Sequence, residues 1–275
     1  MRRLWVGGAS DVHAFFCRTE ALDVADLDAA VALLSYTERE RHARFGFAHD
    51  RREYAVAHAL VRVVVGEALG VPARDVELTA DENGRPLIAR SDSRPHPPAL
   101  SLSHCRGVVA CAVSPDGIVG IDVETIDAAV DLWHVASDYF TAAERDGLEH
   151  CDGAARLQRF YALWTLKEAL FKATGIAPGQ LGGGSFTFAD DGAVSLTPSS
   201  VLPPRSWCAG VVDIADHCKL AIVASRPPGS ARERRLHEFD AAAFSEVAMC
   251  YGSRPVPTVS ASPQGLREVS TLSRK

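Results

Sequence analysis

Asp122 and Glu124 stand two residues apart in the stretch GIVGIDVETI, residues 117–126, among Ile118, Val119, Ile121, Val123 and Ile126. The apolar, mostly β-branched neighbours predict a buried strand. On a strand, side chains at i and i+2 share a face, about 6–7 Å apart. Two carboxylates placed this way in a partly buried site repel each other, so that one takes up a proton or a cation sits between them. Magnesium suits such a pair, because it takes oxygen ligands from one or two carboxylates and from substrate phosphates. The same D-x-E spacing also fits a half-exposed strand carrying two solvated acids.

A second segment with chemical potential is RFYALWTLKEALFKATG, residues 159–175, whose pattern predicts a helix ending at Gly175. At 100° per residue, Phe160, Leu163, Trp164, Leu170 and Phe171 form a core stripe that Leu166 and Ala169 extend. A narrow polar strip of Tyr161, Thr165, Glu168 and Lys172 is left over. Glu168 and Lys172 are one turn apart. They form either an ordinary ion pair, worth roughly 0.2–0.5 kcal/mol, or a proton or metal acceptor beside a cation for phosphate. Lys167 falls inside the apolar stripe, where it either snorkels or neutralises a buried acid.

Two smaller groups join these. In SLSHC, residues 101–105, Ser103 and His104 are either loop residues ahead of a strand or a phosphate donor with a loop-fixing hydroxyl. Arg39, Arg41, Arg44, Arg51 and Arg52 are interleaved with Glu38, Glu40 and Glu53. They make either a solvated mixed-charge face or a site for a terminal phosphate, which the planar guanidinium fork fits. No G-x-S-x-G elbow is present, against serine hydrolysis. The GGG at 182–184 lacks the strand-to-helix setting of a phosphate-cradling turn and reads as a loop.

The elements that must position these residues are written twice. Residues 51–70 predict a helix ending at Gly70. A strand-turn-strand pattern with an Asn-Gly turn follows, and then an apolar strand from Val108 to Val113. In the second half the order recurs: a helix to Gly175, a strand-turn-strand with Asp191-Gly192, and strands within SWCAGVVDIADHCKLAIVAS. The expected fold is α+β. Two similar α+β halves pack as a pseudo-dimer, with the active site in the cleft between them, a favoured place for a ligand. The expected divisions are 1–116, 117–225, and a flexible C-terminal tail over 226–275, rich in Pro, Gly, Ser and Arg. Within that tail, LHEFDAAAFSEVAM could form one short amphipathic helix.

Composition narrows the classes. The 275 residues are 47% hydrophobic and 23% charged, with net charge −6, so no general nucleic-acid binder is expected. No apolar run approaches the ~20 residues of a membrane span, and MRRLWVGGAS has no apolar segment of a secretory leader. Seven scattered cysteines without a C-x-x-C pair point away from zinc and toward a reduced, cytoplasmic protein. A monomer is expected.

GIVGIDVE followed by WTLKEALFKATG resembles the signature pair of 4'-phosphopantetheinyl transferases. NGRPLI, SLSH, TERERHARF and DYFTAAERDGL are similar, in order, to further elements of that family, over roughly residues 35–225. The resemblance is to the Sfp-type branch, with two similar halves in one chain. It implies transfer of the phosphopantetheine arm of coenzyme A to a serine of an acyl or peptidyl carrier protein, releasing 3',5'-bisphosphoadenosine. By resemblance, Asp122, Glu124 and Glu168 gather Mg2+, and Lys172 contacts the phosphate. Glu168 takes the serine proton, directly or through water. His104 with Ser103, Arg41 with Arg44 or Arg52, and Arg85 hold coenzyme A. The sequence departs from the family at Glu38, where lysine is frequent, at Arg85, in place of lysine, and at Tyr54, in place of threonine. The alternatives are a non-catalytic module that binds coenzyme A or a carrier protein, and a metal-dependent phosphohydrolase.

Overall fold

The computed structural model describes residues 12–82, 84–90, 96–115, 117–180, 184–215, 217–226, 234–239 and 266–271. These fall into two compact units. The first runs to Pro115 and takes in 234–239 and 266–271; the second covers the described residues from 117 to 226.

The first unit begins with strand β1 (Val12–Arg18), followed by helices α1 (Val24–Leu33), α2 (Tyr36–Arg44) and α3 (Ala48–Leu69). Hairpin β2 (Leu78–Ala80) and β3 (Pro86–Ile88) comes next, then β4 (Ala99–Cys105) and β5 (Val108–Ser114). Val56, Leu60 and Val64 of α3 recur at helical spacing, and with Phe15, Val109, Cys111 and Val113 they form a buried core. Burial pushes the Cys111 thiol up, as expected of a small core residue.

The second unit repeats the order. It has β6 (Val119–Thr125), α4 (Leu132–Tyr139), α5 (Ala142–Glu149), α6 (Gly153–Thr174), hairpin β7 (Ser185–Phe188) and β8 (Val194–Thr197), then β9 (Ser206–Ala215) and β10 (Cys218–Arg226). Its sheet is ordered β6-β10-β9, matching β1-β5-β4 in the first unit. Both long helices span 22 residues and stop at a glycine in the left-handed region, Gly70 at φ 66° and Gly175 at φ 76°. The α+β fold with two similar halves is therefore present.

The repeat extends to a buried polar device. Helix α2 starts with a capping box, Ser35 with Glu38, and α5 starts with another, Thr141 with Glu144. Each capping glutamate is met by a cation from the long helix: Arg62 Nε donates to Glu38 Oε2 at 2.7 Å, and Lys167 Nζ lies 2.9 Å from Glu144 Oε2. Lys167 thus neutralises a buried acid and does not snorkel. Burial alone would raise the pKa of Glu38, but hydrogen bonds from His58 and Arg62 outweigh it and bring it to about 2. Glu38 therefore adds stability above its ordinary value of 4.5 that is lost as pH falls toward 2.

The expectation of a tail from residue 226 is corrected where the structure describes it. Strand β11 (Arg234–Phe239) pairs parallel with β1, Val12 opposite Arg234, and β12 (Leu266–Thr271) pairs antiparallel with β11. The edge of β1 not used by β5 offers unpaired backbone groups, and β11 satisfies them. Leu236–Phe239 of the expected amphipathic helix lies in this strand; the remainder lies outside the described residues. So does the GGG at 182–183, with Gly184 described.

Candidate functional site

Alternation along β6 puts Ile121 and Val123 on one face and Gly120, Asp122 and Glu124 on the other. Helix α6 packs on this second face. A methyl group on Gly120 would stand 1.9 Å from the Ala169 carbonyl oxygen and 2.7 Å from the Ala173 nitrogen. Only a residue without a Cβ lets the helix backbone come this close. The approach brings the α6 side chains within reach of the strand acids. Lys172 Nζ donates to Asp122 Oδ1 at 2.7 Å, and Trp164 Nε1 donates to Glu124 Oε1 at 3.2 Å. Farther along, the Tyr161 hydroxyl accepts from the Asp127 N–H at 3.0 Å. Trp164, Glu168 and Lys172 succeed one another every four residues, so Glu168 sits between two side chains that both touch β6 acids.

The electrostatics agree. Burial first, and then the charge of Asp122, raise the pKa of Glu124 to about 7; the Glu168 charge adds to the rise, while Trp164 and Lys172 oppose it. Glu168 is therefore close enough to repel Glu124. This has a measurable consequence without any ligand. A carboxyl raised from 4.5 to about 7 binds its proton more tightly in the folded chain, so folded stability falls as pH rises through that window. Glu124→Gln stays neutral. In chelator, its thermal midpoint is expected above that of the wild type at pH 8 and level with it at pH 4.5 or below. A variant less stable than wild type at pH 8 would contradict this electrostatic picture.

The strip expected along α6 needs one revision. Thr165 is fully buried and its hydroxyl donates to the Tyr161 carbonyl at 2.6 Å, so it takes no part in the site. Trp164, placed by its periodicity in the core stripe, takes its position. Among the described residues, no group of three or more His, Cys, Asp or Glu side chains converges as a ready-made ion cage. The charges of Asp122 and Glu168 both act on Glu124, and the Lys172 ammonium sits on Asp122.

In the first unit, three of the five clustered arginines bind backbone. Arg39 Nη1 donates to the Leu34 carbonyl at 2.6 Å, Arg51 to Phe45 at 2.8 Å, and Arg52 to Thr19 and Leu22 at 3.1 and 3.3 Å. Arg52, expected to serve a ligand, ties α3 to the turn after β1 through its Nη1. Arg41 and Arg44 line an open concavity with Thr37, Glu40 and Phe45. Ser103 and His104 lie within strand β4, paired with Ala110 and Val109 of β5, and not in a loop. Alternation buries Ser103, so a direct contact of its hydroxyl with a cofactor does not fit, while the His104 side chain is 60% exposed. Its Nδ1 lies 3.9 Å from Glu53 Oε2, and Glu53 Oε1 accepts from the Gly107 N–H in the β4–β5 turn at 3.0 Å. Arg85 follows Gly84 in the β2–β3 turn, its N–H donating to Asp81 at 2.8 Å.

Residues 118–223 match the family model described as the 4'-phosphopantetheinyl transferase superfamily, and residues 23–116 match the 4'-phosphopantetheinyl transferase N-terminal model. The 4'-phosphopantetheinyl transferase HetI of Nostoc is 31% identical over 204 residues, covering 73% of this chain and 82% of its own. The chain belongs to the 4'-phosphopantetheinyl transferase superfamily. Another of its relatives in this superfamily, a phosphopantetheinyl transferase of Thraustochytrium, is 32% identical over 175 residues, 59% of this chain and 60% of its own. The human L-aminoadipate-semialdehyde dehydrogenase-phosphopantetheinyl transferase is 29% identical over 173 residues, 60% of this chain and 56% of its own. The match thus spans somewhat over half the length of these last two phosphopantetheinyl transferases.

Three residues of this superfamily member were not singled out as site residues by sequence reasoning. Trp164 looked like core, and only its indole N–H hinted at a polar partner. Gly120 was legible as a glycine inside a strand, the mark of a close backbone approach. Glu53 stood among alternating charges without distinction.

Proposed function

We propose that this chain transfers the 4'-phosphopantetheine arm of coenzyme A to a serine hydroxyl of an acyl or peptidyl carrier protein. The serine oxygen bonds to the phosphorus bearing the pantetheine arm, the diphosphate P–O bond breaks, and 3',5'-bisphosphoadenosine leaves. Glu168 accepts the serine proton, directly or through water. Lys172 exchanges Asp122 for a phosphate oxygen and offsets the charge that develops there; phosphoryl transfer asks a protein mainly for such positioning and neutralisation. Arg41, Arg44, His104 and Arg85 hold the nucleotide end. Ser103 acts from within the sheet by fixing the strand that carries His104.

Mg2+ fits the donor set. Asp122, Glu124 and Glu168 offer hard oxygen ligands, their repulsion adds to the raised pKa of Glu124, and a cation would relieve it. A three-sided protein cage is not required, since magnesium usually completes its shell with water and substrate phosphate. When bound it would supply Lewis acidity and neutralise the diphosphate.

The observation that carries the reading is the arrangement of three carboxylates and a lysine where α6 meets β6 at Gly120. The test is mass spectrometry of several apo carrier proteins incubated with the chain, coenzyme A and Mg2+. Each accepted carrier gains the mass of one phosphopantetheine arm. No gain on any carrier, with coenzyme A binding retained, would make the chain a binding module; hydrolysis of coenzyme A without acceptor would make it a phosphohydrolase. No helix among the described residues is long and apolar enough to cross a membrane. The cysteines among the described residues are all free, which supports a reducing, cytoplasmic setting, and we read the chain as a monomer.

A further inference from the structure

Arg41 differs from its neighbours in how it is held. Arg39, Arg51 and Arg52 are anchored on carbonyl oxygens, whereas the Arg41 guanidinium carbon lies 5.7 Å from the centroid of the Tyr54 ring at the lip of the α2 concavity. The Tyr54 ring is itself packed in place, 5.1 Å from Phe45 and 4.1 Å from His58. His58 Nδ1 lies 3.0 Å from Glu38 Oε1, and Glu38 is bound by the buried Arg62. A continuous set of contacts therefore runs from the interior of the unit to one guanidinium at the concavity. A cation over an aromatic face gives up part of its hydration and rotamer freedom before a ligand arrives, which lowers the cost of binding an anion.

We propose that Tyr54 is a positioning residue that presets Arg41 for a phosphate monoester and so sets this chain's preference for coenzyme A over its 3'-dephospho form. The proposal rests on the transfer reading given above. It also accounts for an aromatic residue standing where the family resemblance leads one to expect threonine. The side chain need not touch the ligand; its flat face does the work, and its hydroxyl is dispensable.

The experiment measures kcat/KM for coenzyme A and for 3'-dephospho-coenzyme A, with Mg2+ and an apo carrier, in wild type, Tyr54→Met, Tyr54→Phe, Arg41→Gln and Arg41→Gln/Tyr54→Met. Tyr54→Met, which keeps an apolar side chain but loses the ring face, is expected to reduce the preference roughly three- to thirtyfold, the range of a cation–π contact. Tyr54→Phe keeps the wild-type preference. In the Arg41→Gln background, Tyr54→Met changes the preference no further, because the ring acts through the arginine. An unchanged preference in Tyr54→Met, a fall in Tyr54→Phe as large as in Tyr54→Met, or additive effects in the double variant would overturn the proposal. Should Tyr54→Met fail to fold, Tyr54→Phe against Arg41→Gln still decides it: loss in both means that the hydroxyl, not the face, matters. Failure of the wild type to transfer to any carrier would instead remove the functional reading itself.

Discussion

Glu168→Gln is expected to lower turnover by about 10²–10⁴-fold, the contribution of a general base. Glutamine keeps the volume of the side chain and its place on α6 between Trp164 and Lys172. It loses a negative charge beside Glu124 and the capacity to take a proton. The effect should fall mainly on kcat, because proton transfer is made only in the transition state. On the proposed reading, in which Arg41, Arg44, Arg85 and His104 hold coenzyme A, the KM for coenzyme A should move less. A second readout does not depend on turnover. Glu168 is among the groups that raise the pKa of Glu124 to about 7. Removing its charge should move the Glu124 titration, followed by carbon NMR of the metal-free protein, to lower pH. Turnover within a few-fold of wild type would exclude Glu168 as the base. An unmoved Glu124 titration would show that the two carboxylates do not share a site.

How much of this was legible before folding depends on whether the signal is local. Gly70 and Gly175 end their helices through a backbone conformation that glycine adopts freely, and both stops could be read directly. The D-x-E of β6 and the Glu-x-x-x-Lys of α6 could be read because each lies within one element with one period. Their meeting was implied only by the family resemblance and not by either element's own pattern, because it depends on Gly120 admitting the helix, a contact between residues about fifty positions apart. Trp164 does pack against the core as its periodicity says; what periodicity ignores is the indole N–H, which donates to Glu124. The fates of the arginines were not legible either. Arg39 and Arg41 look alike in sequence, yet one caps a carbonyl and the other sits over a ring, a difference set by what α3 presents opposite each. Strand β11 escaped notice because a short segment flanked by Pro, Gly and Ser gains its order only from the free edge of β1.

The largest loss of stability is expected from Lys167→Ala. Lys167 and Glu144 are each about 1% exposed. Besides Lys167, the Glu144 carboxylate accepts the Thr141 N–H at 2.8 Å and the Phe186 N–H at 2.9 Å, so one side chain joins α5, α6 and β7. Removing the ammonium leaves a buried carboxylate without its cation, which costs about 3–5 kcal/mol. That is a large share of the roughly 5–15 kcal/mol that holds a domain folded. Replacing both members should cost far less. Glu144→Gln/Lys167→Met removes both charges together, retains a capping-box residue at position 144 and fills the volume of the lysine. Urea denaturation of the two single variants and the double variant forms a cycle, and a coupling of several kcal/mol is expected. The pair also reaches the site. Lys167 precedes Glu168 on α6, so anchoring Lys167 toward α5 fixes the rotation that turns Glu168, 100° farther round, toward the β6 acids. The double variant should therefore fold but turn over more slowly than wild type. Additive losses in the cycle would show that Lys167 and Glu144 are neighbours without being partners, and that the helix is oriented by its apolar stripe alone.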